Sequence, residues 1–148
     1  HRVAAALLET GIAVAGVNKA LFRTKSRTRL AMEAWMAEWA EYYDNDRVVI
    51  MQIPRSLCLD YKATEADVEE LSSLAALVAG TDCGVTLREL EGGRVKISLR
   101  TGPRVNATAV CALLGGGGHA AAAGATISGS MKEAKQAVLQ AIDMVVGE

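Results

Sequence analysis

The stretch Gly115-Gly116-Gly117-Gly118-His119-Ala120-Ala121-Ala122-Ala123-Gly124 sets four consecutive glycines ahead of a histidine and a tract of small residues. Glycine loses more conformational freedom on folding than any other residue. A folded domain keeps such a run where the backbone must approach something closely or adopt positive φ. Consecutive backbone N–H groups in a turn of this kind form an anion-binding concavity. His119 beside it can both donate and accept a hydrogen bond. Together they point to a phosphate-bearing ligand. The plainer alternative is a tight helix-to-strand connection in which His119 is merely packed or exposed.

Working outward, Ala107–Leu114 reads as a short helix leading into the glycines, and Ala125–Ile127 as a short strand beyond them. Met131–Val146 reads as a closing helix with Ala134, Val138, Ala141, Ile142 and Val145 on one stripe. Upstream, Val85–Leu90 and Arg94–Leu99 flank Glu91-Gly92-Gly93, the signature of a hairpin. Arg47–Ile53 is a β run closed by Pro54, and Ser56–Tyr61 is expected to be a loop or short edge segment. Thr64 caps a helix expected to run to about Ala79. The order after residue 46 is β-α-β-β-α-β-α. It predicts an α/β (α+β) domain with one mixed sheet and helices packed on it.

Before this domain, residues 1–22 read as helical and broken at Gly11. The span Ser26–Tyr43 is expected to form one long helix, apolar on more than one face, that connects two bodies. Arg23, Lys25, Arg27 and Arg29 precede it, and a solvated helix entry is the expectation for them. Asp44-Asn45-Asp46 reads as a turn.

The composition sets bounds. The chain has 148 residues, 51% of them hydrophobic and 22% charged, enough for one globular core and a flanking piece. Aromatics make up 4% and net charge is −1, so no overall basic field is available to attract nucleic acid. Cys58, Cys83 and Cys111 are scattered, which excludes a disulfide framework and fits a cytoplasmic location. No apolar run reaches the ~18 to 20 residues of a membrane helix, so no membrane partner is expected. His1 is not a natural start, and the chain reads as an excised piece.

Candidate chemistry centres on two places. In Lys96-Ile97-Ser98-Leu99-Arg100-Thr101, alternation puts Lys96, Ser98 and Arg100 on one face and Ile97 and Leu99 on the other. Arg100, at the strand's end, offers a planar fork for phosphate, and it can meet His119 at one end of the sheet. Arg104 is a weaker candidate, held by Pro103 on a surface turn. No catalytic triad, paired-carboxylate motif or HExxH is present, nor a clustered Asp/His set for a metal. The chain looks built to bind a phosphate compound and not to cleave it.

Ser98-Leu99-Arg100, the link Val105-Asn106 into a short helix, and GGGGHxxAAG at Gly115–Gly124 resemble the DHH-associated domain of the DHH phosphoesterases. That family includes RecJ-like exonucleases, the nanoRNase/pAp-phosphatase group and cyclic-dinucleotide phosphodiesterases. The resemblance covers about residues 47–148, and the pattern is most similar to the nanoRNase group. Residues 1–25 are similar to the end of a preceding DHH domain, and 26–46 to the helix linking the two. It implies a parent hydrolase whose DHH domain holds Mn²⁺ (or Mg²⁺) and hydrolyses short oligonucleotides, pAp or (cyclic) dinucleotides. This piece would hold no catalytic residue, metal or cofactor and would be inactive alone. By position, the resemblance implies that Arg100 binds phosphate and that Gly116, Gly117 and Gly118 offer N–H groups. His119 would hydrogen-bond the phosphate, and Thr101 stands where a serine is frequent. Ala120 and Ala121 occupy positions that often carry a polar or basic residue. The implied partners are a nucleotide substrate and the protein's own DHH domain, with a homodimeric parent left open. Two other readings stand beside this one: a nucleic-acid-binding module like the C-terminal domain of alanyl-tRNA synthetases, and a structural piece in which the glycines only turn the chain.

Overall fold

The computed structural model describes residues 1–147. Helix α1 (Arg2–Glu9) and helix α2 (Val14–Asn18) are separated at Gly11, and α2 runs into a π-helical turn at Lys19–Arg23. No side chain of residues 1–27 is buried, although Val3, Leu7, Leu8, Val17 and Phe22 are apolar. Helix α3 (Arg27–Glu38) begins at Ser26, whose Oγ accepts the Arg29 N–H at 2.9 Å. Met32 and Met36, one turn apart, are its buried residues. Lys25 and Arg29 both pair with Glu33, and Arg29 also pairs with Glu70, so part of the basic entry serves to seat this helix.

The expectation of a helix through Tyr43 is not met. It ends at Glu38, and Glu41–Tyr43 forms strand β1, antiparallel to β2 (Val48–Ile53). The winning interactions are non-local: Glu41 accepts bonds from Gln52 and Lys135. Asp44, Asn45 and Asp46 make the intervening turn, all at positive φ (50, 53 and 66°), which Asn and Asp tolerate best.

After Pro54, residues expected as loop form a short helix, α4 (Arg55–Asp60), with Leu57 buried. Thr64 caps α5 (Glu65–Glu69) in a reciprocal box with Asp67. That helix tightens into a 3₁₀ segment at Glu70–Leu77. The segment lies directly on the sheet: a Cβ on Gly84 would stand 2.4 Å from the Ala76 nitrogen. Strands β3 (Cys83–Leu90) and β4 (Arg94–Thr101) form the expected hairpin, with Gly92 and Gly93 at φ +75 and +66°. Helix α6 (Ala107–Leu113), strands β5 (Gly117–His119) and β6 (Ala122–Ser128), and helix α7 (Met131–Val146) complete the chain.

The fold is α+β, with one six-stranded mixed sheet in the order β1-β2-β3-β4-β6-β5. The β2/β3 pair is parallel and its neighbours are antiparallel. Alternation divides the apolar residues between two cores. Ile50, Val85, Leu87, Val95, Ile97 and Leu99 pack with Ala107, Val110, Val138 and Ile142 of α6 and α7. On the opposite face Val49, Met51 and Ile53 pack with Met32, Met36, Leu57, Val68 and Leu71. This second layer lies over β2 and β3 and reaches the near side of β4, where Ser98 is buried. Beyond it, over β6 and β5 and the outer side of β4, that face carries Lys96, Arg100, Ala122, Gly124 and Gly117 and is not covered by a helix among the described residues. The open half positions the site.

Candidate phosphate-binding site

Paired residues on neighbouring strands share a face, so the register writes out the platform row by row. One row runs Gly84–Arg100–Ala122–His119, and the next runs Thr86–Ser98–Gly124–Gly117. Arg100 and His119 are therefore two strands apart on one face, with backbones about 10 Å apart at ~4.8 Å per strand. Only the small Ala122 lies between them. The register places the two residues on one face, and His119 lies outside the lining of the cavity that Arg100 borders.

A cavity of about 560 Å³ opens over the platform, walled by α5 and the 3₁₀ segment. Its lining includes Arg88, Lys96, Ser98, Arg100, Gly117, Gly118 and Gly124, with Glu65, Glu69 and Glu70 along the rim. The volume suits a nucleotide-sized ligand. Arg100 is half-buried, and its Nη1 donates back to the Leu99 carbonyl at 3.0 Å. It makes no ion pair among the described residues. Arg88 differs: it donates to both Glu65 oxygens at 2.6 and 2.7 Å. That bond holds the Glu65 carboxyl below its usual range and keeps the Arg88 guanidinium more firmly protonated.

The four glycines divide into separate tasks. Gly115, at φ +73°, ends α6: its N–H reaches the Ala112 carbonyl and the Gly116 N–H reaches that of Cys111 at 2.8 Å. This is the Schellman arrangement, which requires a left-handed residue at that point. A Cβ on Gly116 would stand 2.2 Å from the Gly124 carbonyl oxygen, and one on Gly118 would stand 2.6 Å from that of Ala122. Both glycines let the incoming chain lie against β6. A Cβ on Gly117 would meet nothing within 4 Å. Gly117 is the glycine of the run whose bareness faces open space on the cavity wall.

The predicted residues thus fall into two groups. Arg100, Gly117 and Gly118 line the cavity, and His119 stands exposed at the end of the Arg100 row. Gly116 and Thr101 lie outside its lining. The Thr101 hydroxyl donates to the Ala120 carbonyl at 3.0 Å, and its N–H donates to that of Ala121. Thr101 thereby fixes the turn that follows His119. Arg104 is exposed and pairs with Asp82 at 3.5 Å, away from the platform. Lys96 and Ser98 belong to the site as well, and the alternation that selects Arg100 selects them too. Arg88 and Glu65 give no local signal, because α5 reaches them only through the tertiary fold. Among the described residues no group of three or more His, Cys, Asp or Glu side chains is placed to hold a metal ion. No helix among those residues is long and apolar enough to cross a membrane.

Comparison with known proteins identifies a family. Residues 45–148 match the DHHA1 domain model. The bifunctional oligoribonuclease and PAP phosphatase NrnA of Thermus thermophilus is 34% identical over 143 residues, covering 95% of this chain and 42% of that protein. An exopolyphosphatase-related protein from Bacteroides fragilis shares the fold with a TM-score of 0.86 at 22% identity, over 95% of this chain and 42% of its own. A pGpG-specific phosphodiesterase, PggH, from Vibrio cholerae aligns with a TM-score of 0.57 at 14% identity, over 82% of this chain and 40% of its own. The chain spans about two fifths of the length of these relatives. The chain belongs to the DHHA1 domain family, whose model residues 45–148 match.

Proposed function

We propose that this chain is the substrate-gripping part of a metal-dependent DHH phosphoesterase acting on short oligonucleotides, pAp or dinucleotides. The observation that carries the reading is the Arg100–Ala122–His119 row beside the bare backbone of Gly117, on the uncovered half of the sheet. Arg100 supplies a fixed charge and a planar donor fork for a phosphate oxygen. Gly117 allows close approach of the ligand to backbone, and His119 donates from the far side of the same row. Thr101 keeps the turn after His119 in place, and Gly116 and Gly118 set the depth of the strand. Hydrolysis in this reading belongs to a preceding DHH domain holding Mn²⁺ or Mg²⁺. The apolar side chains of α1 and α2, exposed here, are the surface such a domain would cover, with α3 as the link. The relatives' names support a nucleotide phosphate as the ligand. A cytoplasmic setting is consistent with three free cysteines.

The test is equilibrium binding of pAp and of a short oligoribonucleotide to the chain and two variants. Arg100→Ala and His119→Ala are each expected to weaken binding by about 1.5 to 3 kcal/mol, roughly tenfold to a hundredfold or somewhat more. Unchanged affinity in both variants refutes the site.

A further inference from the structure

We infer that Glu69, on the wall of the cavity, reads the base of the bound nucleotide and selects guanine. The inference rests on the proposed function and extends it from the phosphate to the opposite end of the ligand. The cavity is polarised. Its lining crosses four strands, from Gly117 and Gly118 on β5 through Gly124 on β6 and Arg100 on β4 to Thr86 on β3. That crossing is about 14 Å at ~4.8 Å per strand, room for one nucleoside monophosphate laid across the strands. At the β3 end stands the wall of α5 and the 3₁₀ segment, seated on the sheet by the Thr86 hydroxyl, which donates to the Ser72 carbonyl at 3.2 Å. A phosphate held between Arg100 and Gly117 leaves the base at this wall.

The wall offers acceptors. Of its three carboxylates, Glu65 takes both bonds from Arg88 and Glu70 pairs with Arg29. Glu69, one helical turn beyond Glu65, is exposed and makes no ion pair among the described residues. Ile53 and Val68, both buried, also line the cavity and give the flat face of a base an apolar rest. A free carboxylate beside a phosphate pocket repels the ligand unless the part nearest to it carries N–H donors. An ionised carboxylate only accepts, and its two oxygens suit two donors side by side. Guanine alone among the four bases places two there, N1–H and the 2-amino group, on its Watson–Crick edge. Adenine and cytosine set an acceptor nitrogen beside their amino group, and uracil flanks its single N–H with carbonyls.

The experiment titrates GMP, IMP and AMP into the chain and its Glu69→Ala, Glu69→Gln and Arg100→Ala variants. IMP differs from GMP only in lacking the 2-amino group. The parent is expected to bind GMP about threefold to tenfold more tightly than IMP or AMP, as for one hydrogen bond. Glu69→Ala should bring GMP and IMP to equal affinity. Glu69→Gln, whose amide both donates and accepts, should move the preference to AMP, which a merely repulsive or structural carboxylate would not do. If the parent binds GMP and IMP equally while Arg100→Ala weakens both, the Glu69 role is overturned and the phosphate site stands. A GMP preference that survives in Glu69→Ala also overturns it. If Arg100→Ala changes none of the three, or none binds the parent at millimolar concentration, the site reading falls and the Glu69 inference falls with it.

Discussion

Alanine at two adjacent glycines should separate architecture from binding. In Gly116→Ala, the new methyl would stand 2.2 Å from the Gly124 carbonyl oxygen and 2.7 Å from the Ala125 Cα. Both obstacles are backbone, so no rotamer change can make room, and the chain entering β5 must lift away from β6 by an ångström or more. Overpacking of this kind costs about 1 to 3 kcal/mol, and a backbone obstacle belongs at the upper end. Replacing glycine recovers ~0.4 to 1 kcal/mol by restricting the unfolded chain. The expected net loss is about 2 kcal/mol, a fall in melting temperature of ~4 to 8 °C for a domain of this size. In Gly117→Ala the methyl meets nothing within 4 Å, so stability should hold or rise slightly. That methyl nonetheless stands on the cavity wall, and nucleotide binding should weaken at least severalfold. Thermal melts followed by far-ultraviolet circular dichroism, with a binding titration on each variant, measure both quantities. The reasoning is refuted if Gly116→Ala melts within about 1 °C of the parent, or if Gly117→Ala loses as much stability as Gly116→Ala.

Three further outcomes follow from the charges and thiols. Burial pushes the Glu41 carboxyl up, but bonds from Lys135, Tyr43 and Gln52 outweigh it and hold its pKa below the usual value, while the Glu41 bond raises that of Lys135. A carboxyl lowered in the folded state contributes stability that is present above its unfolded pKa and lost as pH falls through the folded one. Lys135→Ala should therefore cost about 0.5 to 1.5 kcal/mol at neutral pH by denaturant unfolding, with the gap to the parent closing below about pH 4. A gap independent of pH would show that packing, and not the ion pair, is lost. Cys83 is buried, and its thiol is pushed up to about 12, while Cys111 is buried and raised and Cys58 is half-buried. A thiol reagent at pH 8 should label Cys58 first, with Cys83 and Cys111 reacting only on unfolding; rapid labelling of all three in native protein contradicts this packing. Glu65→Gln frees Arg88 and removes a rim charge, so it should tighten nucleotide binding about twofold to fivefold, as for one surface ion pair. Weaker binding in that variant would mean that the Arg88–Glu65 pair positions the ligand.

The legibility of the fold tracked how local its causes are. Met131–Val146 carries its own start, Ser130 with Glu133, and its own apolar stripe, and the helix occupies the span read from the sequence. The β3–β4 hairpin is likewise written in Glu91-Gly92-Gly93 and the alternation on either side. Glu41–Tyr43 is different: three residues cannot define a strand, and this one exists because Val48–Ile50 and Lys135 lie beside it. Trp39 and Tyr43, spaced as on a helix, extended the apparent helical pattern past its end. Arg55–Asp60 has no side-chain cap and only one buried residue, so its six residues give no period to read. Gly117–His119 is a strand without side-chain alternation, assigned only through its pairing with Ala122–Gly124. In the site, Arg100 was legible because β4 alternates, and Lys96 and Ser98 were legible by the same rule. The separate tasks of Gly116 and Gly118 were not, since each depends on the β6 backbone lying against it.

The central claim is that Arg100, Gly117 and His119 form one phosphate-binding surface. Its most direct test is a titration of the chain with pAp, followed by chemical-shift changes at the Gly117 amide and the His119 ring. The account predicts saturable shifts at both positions with one common dissociation constant, abolished in Arg100→Ala although the variant remains folded. Shifts that persist unchanged in Arg100→Ala, or no shifts at millimolar ligand, would contradict it.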